Sequence, residues 1–335
     1  MDVRSMVGAS INEVPGGAGD MERADEREIA NRTLMRAKML MSVCKTTEAE
    51  SALAEAETAF RRHDDNEMLS EVFISRSQIR LCQGQVPEAL ADIDEAFRIW
   101  QGIGNPAKKG QLLFYRGLAY LAMGKEEEAH RDLDEFVALS EGLNDYHAQF
   151  LGHFYHALVY ERRGEPCMAS AELEIGKDAV PDFNSSRKGR MDAFLAHLWL
   201  RRGELNEAKD LESETLSLIL VDADKAGPAN LGMAFLVRAE ILATRSEWEE
   251  SMETFERAIE VFRITRYGLY YEALAHSWYG ETLICSGKTE EGCRNLMKSR
   301  AIYERLSNET QVKKIDARIA ESGGSRTFMG EASNA

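Results

Sequence analysis

Three small residues return six times along the chain. The second follows the first by seven positions, and the third follows the second by five. The triplets are Ser77/Gly84/Ala89, Gly117/Gly124/Ala129, Ala157/Gly164/Ala169, Ala196/Gly203/Ala208, Ala239/Ser246/Ser251 and Gly280/Gly287/Gly292. Their middle members lie 40, 40, 39, 43 and 41 residues apart, and all eighteen positions hold Gly, Ala or Ser. A fixed period near 40 residues defines an array of repeated units rather than a domain built around one centre. Such an array offers an extended binding surface, which weighs against a catalytic pocket.

The stretch 110–139, GQLLFYRGLAYLAMGKEEEAHRDLDEFVAL, shows what one unit contains. Its first half places Leu113, Gly117, Tyr120 and Leu121 at helical spacings. Its second half does the same with Ala129, Leu133, Phe136 and Val137. Gly124 between them supplies the left-handed backbone that ends a helix at low cost. The acidic run Glu126–Glu128 then sits in the first turn of the second helix, where carboxylates complement the helix dipole. Each unit therefore reads as helix, turn, helix. Gly117 and Ala129 mark where the two helices approach, because large side chains there would hold them apart.

These units resemble tetratricopeptide repeats. Gly117, Tyr120, Gly124, Ala129 and Leu133 fall on that family's small, aromatic, turn, small and large positions. Tyr160, Ala169 and Leu173 match in the next unit, Phe255 and Ala258 in the fifth, Gly280 and Gly287 in the sixth. A degenerate unit opens the array, with Ala52 and Ala59 on its second helix, Leu40 at the first small position and Thr47 at the turn. The units are about six residues longer than the family's common repeat, as in bacterial signalling and regulatory members. The resemblance implies an all-α fold: a right-handed superhelix of about seven helix pairs over residues 28–321. Residues 308–321, with Val312, Ile315 and Ile319 on one face, read as a capping helix. Residues 1–27 and 322–335 read as flexible ends.

Composition narrows the function. The net charge of −16 repels nucleic-acid phosphates, so no nucleic-acid partner is expected. No apolar run approaches the roughly 18–20 residues of a membrane span, and the N-terminal stretch lacks a secretory pattern. A cytoplasmic protein with no membrane partner is expected. Cys44, Cys82, Cys167, Cys285 and Cys293 contain no CxxC pair and suit free thiols, although Cys285 and Cys293 lie on opposite helices of one unit.

Motifs that would carry chemistry are missing. There is no phosphate loop, no GxGxxG and no nucleophile elbow. His153 and His156 are i,i+3 neighbours, with His147 nearby, but they lie among Phe150, Phe154 and Tyr155 and read as core groups. The carboxylates of 247–260 read as a solvated helix face. No enzyme activity, no cofactor and no metal is expected.

In tetratricopeptide repeats the first helix of each unit lines the concave surface. Counting back from the turn residue, the resemblance assigns Ile74, Gln78, Phe114, Tyr115, Leu118, Phe154, Tyr155, Leu158, Arg190, Phe194, His197, Phe235, Glu240, Ser277, Trp278 and Glu281 to that face. Its middle is aromatic and apolar, which suits a peptide or amphipathic helix with apolar anchors. Alternatively, the long helices bury these aromatics against one another. Glu240 and Glu281 would receive a basic ligand residue. The Lys and Asn pattern that clamps a C-terminal carboxylate is absent. Arg162–Arg163 and Arg201–Arg202 precede adjacent turn glycines, where they would hold an acidic segment or satisfy the last carbonyls of their helices. The segment Ser185–Arg190 reads as a loop. The function expected is a non-catalytic scaffold for a protein or peptide partner, or a peptide-responsive regulator, or the detached regulatory module of a signalling enzyme.

Overall fold

The computed structural model describes residues 18–42, 45–100, 104–179, 185–221, 228–265 and 268–322. Fifteen helices and no strands occur among them. They form seven consecutive pairs and a final single helix. The pairs are α1 (Ala18–Ser42) with α2 (Thr46–Arg62), α3 (Asn66–Gln83) with α4 (Val86–Trp100), α5 (Pro106–Met123) with α6 (Glu126–Gly142), and α7 (Tyr146–Arg162) with α8 (Pro166–Ala179). They continue as α9 (Ser185–Arg201) with α10 (Leu205–Val221), α11 (Pro228–Thr244) with α12 (Trp248–Arg263), and α13 (Gly268–Cys285) with α14 (Thr289–Arg305). The last helix is α15 (Glu309–Glu321). This is the helix-pair solenoid that the triplets predict. Ser185–Arg190, expected as a loop, instead forms the first turns of α9. The C-terminal segment 323–335 lies outside the described residues, and from Ala18 onward the N-terminal segment is helical.

The triplets have the physical roles their spacing implies. Every middle member adopts positive φ: Gly84, Gly124, Gly164, Gly203, Ser246 and Gly287 lie between 62° and 88°. At Gly124, the left-handed residue lets Lys125 N–H reach back to Tyr120 C=O at 2.9 Å, closing the end of α5. The outer members are contact points between paired helices. A Cβ on Gly280 would stand 2.9 Å from the Gly292 carbonyl oxygen, and one on Gly292 would stand 2.7 Å from the Gly280 oxygen. Gly280→Ala is therefore expected to push α13 and α14 apart and lower stability by about 1–3 kcal/mol. Urea unfolding followed by circular dichroism measures this, and an unchanged midpoint would refute the close-packing role.

The chain divides after Val72 into two compact units. In the first, Leu34, Ala37 and Met41 of α1 and Leu53, Ala56 and Phe60 of α2 are buried. In the second, one continuous core runs from Leu113 to Leu283. A separate cluster joins Leu81, Val86 and Ala119 to Leu296, Tyr303, Leu306 and Ile315. Early and late repeats of this unit are thus in contact. Val312 and Ile319 pack against the same cluster, so α15 covers the end of the array with the face the sequence assigned to it.

Candidate functional site

The first helices α3, α5, α7, α9, α11 and α13 carry the residues assigned to the binding face, and their burial separates them into two sets. Phe154 is fully buried, and Ile74, Phe194 and Leu158 are each 1% exposed. Phe235 is buried beneath the Arg257 guanidinium, 4.3 Å from its ring centre. Phe154 meets Tyr155 edge-on at 5.4 Å and Phe194 at 5.9 Å. These rings hold consecutive repeats together, the outcome in which the long helices bury their aromatics. Phe114, Tyr115, Leu118, Trp278, Ser277 and Gln78 remain half-buried. Arg190 lies in α9 with its side chain outside the described residues.

Across this face the second unit closes upon itself. A cavity of about 50 Å³ lies between Leu81, Leu118, Leu121, Ala122, Tyr155, Tyr270, Tyr271 and Leu306. The Tyr271 and Tyr155 hydroxyls stand 3.5 Å apart. Asn308 caps α15 by accepting from Gln311 N–H, and its Nδ2 donates to Ala122 C=O at 2.8 Å. Arg305 donates to Gln83 C=O at 2.9 Å. Leu269 packs so closely over Gly84 that a Cβ there would lie 2.8 Å from it. The closure brings turns of the second and third repeats against the seventh repeat and its cap.

Two buried polar groups brace this arrangement. His197 on α9 is 1% exposed. Its Nδ1 lies 2.6 Å from Glu240 of α11, its Nε2 lies 3.8 Å from Glu161 of α7, and its ring stacks on Trp278 of α13 at 4.2 Å. Burial alone would push the imidazole down, but Glu240 and Glu161 outweigh it and raise the pKa to about 9. Burial opposes ionisation of Glu161 as well, and His197 and Arg162 still bring its carboxyl below the usual range. Glu240 is thus engaged within the protein, as is Glu281, which accepts from Arg318 at 2.8 Å.

Arg162 is the second brace. It donates to Leu121 C=O at 2.7 Å and lies 5.5 Å above the Tyr270 ring. It satisfies a terminal carbonyl, but that of α5 rather than of its own helix. Arg163 pairs with Glu127, and Arg202 with Glu204 at 2.8 Å, so three of the four edge arginines have acidic partners or carbonyls within the chain.

A periodic ion pair escaped the sequence reading. The residue before the first small position reaches the residue three beyond the third: Arg76 to Asp92 and Arg116 to Asp132, each at 2.7 Å. In the next repeat His156 and Glu172 take these places, 3.6 Å apart. The signal was present, since 76, 116 and 156 are 40 apart, as are 92, 132 and 172. Around His156 the structure gathers His153, Glu172, His130 and Asp134, whereas His147 is exposed. Cys285 is exposed and Cys293 buried, and neither they nor Cys82 and Cys167 form a disulfide; Cys44 lies outside the described residues. No helix among the described residues is long and apolar enough to cross a membrane.

No protein-family model matches the chain, and no curated protein matches it in sequence. Solved structures do match in fold. NprR in complex with its cognate peptide NprX is similar over 89% of this chain and 86% of its own, at 12% identity and a TM-score of 0.61. A Rap protein complexed with competence and sporulation factor is similar over 89% and 98%, at 10% identity and 0.54. A signal transduction ATPase with a tetratricopeptide repeat sensor, from Pyrococcus horikoshii, is similar over 92% of this chain, at 14% identity and 0.52; this chain spans about half of it, 48%. The chain has the tetratricopeptide-type repeat fold. In fold it is similar to the helical solenoids of NprR and Rap.

Proposed function

We propose that the chain is a non-catalytic interaction protein that takes a peptide or helical segment of a partner against its first-helix face. The observation that carries this reading is the half-buried group Phe114, Tyr115 and Leu118 of α5, with Leu118 and Tyr155 lining the cavity and Phe114 against the Tyr155 ring. Partly exposed aromatic and apolar groups on packed helices make suitable anchors for an apolar ligand face.

A second reading, a peptide-responsive regulator, draws support from the closure. The contacts of Asn308 with Ala122 and of Arg305 with Gln83 hold this face closed, so a ligand that enters between these turns replaces them. A ligand that binds the open form better shifts the array toward it, and changes any surface that depends on closure. The structures of NprR with its cognate peptide and of Rap with competence and sporulation factor support this reading by fold.

The test begins with affinity capture from the native host, followed by titration of a synthetic peptide spanning the captured segment. Leu118→Glu is expected to weaken binding at least about tenfold, equivalent to ~1.4 kcal/mol. Small-angle scattering is expected to show a larger radius of gyration with peptide. Unchanged affinity in Leu118→Glu would move the site off this face, and an unchanged radius would leave a static adaptor.

A further inference from the structure

We propose that His130, Asp134 and His156 form a binding site for a divalent transition-metal cation of the zinc type, with Glu172 orienting His156. His130 and Asp134 are i,i+4 on α6 and therefore share a helix face. His156 comes from α7, the first helix of the next repeat. One ligand atom from each of the three lies within 4.8 Å of the others.

The distances suit coordination better than hydrogen bonding. His156 Nε2 lies 3.3 Å from one Asp134 oxygen and 3.4 Å from the His130 carbonyl oxygen, a long contact that a bound ion would replace, and His130 Nε2 lies 3.5 Å from the other Asp134 oxygen. Hydrogen bonds to a carboxylate are shorter, about 2.7–2.9 Å. Tetrahedral zinc with bonds of about 2.0–2.1 Å places its ligand atoms roughly 3.3–3.4 Å apart. A small movement of these side chains brings three ligands to that spacing, and water completes the fourth position.

The surroundings fit as well. His156 Nδ1 faces Glu172 at 3.6 Å, and Glu172 is fixed by His153 at 2.8 Å. An imidazole that ligates through one nitrogen commonly donates its other N–H to a carboxylate, which sets its tautomer. The Asp134 side chain is 56% exposed while that of His156 is 4% exposed, so an ion has a path from solvent to a shielded ligand. The neighbouring Arg163 is paired with Glu127. A bound ion would tie α6 to α7, joining the third and fourth repeats at a point where the periodic Arg–Asp pair is replaced by His and Glu.

The experiment uses the purified full-length chain, stripped with chelator and titrated with Zn²⁺ by calorimetry and with Co²⁺ by visible absorption. One equivalent of Co²⁺ with the intense bands of four-coordinate geometry is expected. Asp134→Asn, at an exposed position that the fold does not need, is expected to abolish it with helicity unchanged. Glu172→Gln is expected to weaken binding about 10–100-fold while keeping the stoichiometry. Absence of saturable uptake would overturn the proposal. So would uptake that survives Asp134→Asn, including uptake lost only when the exposed thiols Cys167 and Cys285 are alkylated.

Discussion

Replacing Phe154 by Ala is expected to cost the fold about 3–5 kcal/mol, the range for emptying a buried phenylalanine site. The ring is fully buried on α7 and meets rings of its own helix and of the next repeat. It stacks on Phe150 at 6.4 Å within its own helix, and meets Phe194 of the next repeat at 5.9 Å. Edge-on contact with Tyr155 adds to the loss, since aromatic pairs contribute about 0.5–1.5 kcal/mol beyond area burial. The cavity would open where α7 and α9 meet. In a repeat array the damage concentrates at that nearest-neighbour interface. Urea unfolding followed by far-ultraviolet circular dichroism is expected to show a lower midpoint or a transition split at the middle repeats. A loss below about 1 kcal/mol would mean the ring does not hold the repeats together. Leu118 makes the contrast: half-buried beside the cavity, it is the position at which ligand binding is tested with less damage to packing.

The difference between Phe154 and Leu118 also shows what the sequence discloses. The triplets locate turns and helix crossings because those constraints are local: Gly124 needs positive φ, and Gly280 must let a backbone oxygen approach within the same unit. A second local rhythm was available. Asp64, Gly104 and Asn144 all have positive φ, 40 residues apart, and they end the second helices. The first-helix register is also legible, since it follows from counting back from the turns. How deeply a residue on that register is buried is not legible, because it depends on distant partners. Asn308 and Ala122 are 186 residues apart, and no periodic pattern pairs a cap residue with an interior turn. The same holds for His197, whose surroundings come from four helices. Its resemblance position marks it as facing the groove, while Glu161, Glu240 and Trp278 enclose it. The His130, Asp134 and His156 cluster sits between these cases. Its i,i+4 half is local, and its third member follows from the periodic ion pair.

Stability is expected to fall by about 3 kcal/mol as pH rises from 6.5 to 9, with His197 as the responsible group. The folded imidazole titrates at about 9, against about 6.5 when unfolded. The folded state therefore binds more protons across that interval. The contribution is complete below the unfolded pKa and is lost as pH passes through the folded value. Other groups act elsewhere. Burial lowers the His276 pKa, so its contribution is lost on acidification below about 6.5, the opposite sign in a separate window. Glu161, held low, contributes above the ordinary carboxylate range and loses that contribution in acid. Burial and Glu256 raise Tyr279 to about 12, above the interval. The physical cause at His197 is a cation placed between two carboxylates and stacked on an indole face, where loss of the proton leaves Glu240 and Glu161 facing a neutral ring. Urea midpoints measured from pH 6 to 9.5 are expected to decline in the wild-type chain. In His197→Gln they are expected to be lower at pH 6 and nearly flat to pH 9. A wild-type profile that stays flat, or a decline that persists in His197→Gln, would assign the linkage to another group. Because His197 joins α7, α9, α11 and α13, its deprotonation is expected to loosen the same inner face that a peptide would have to enter.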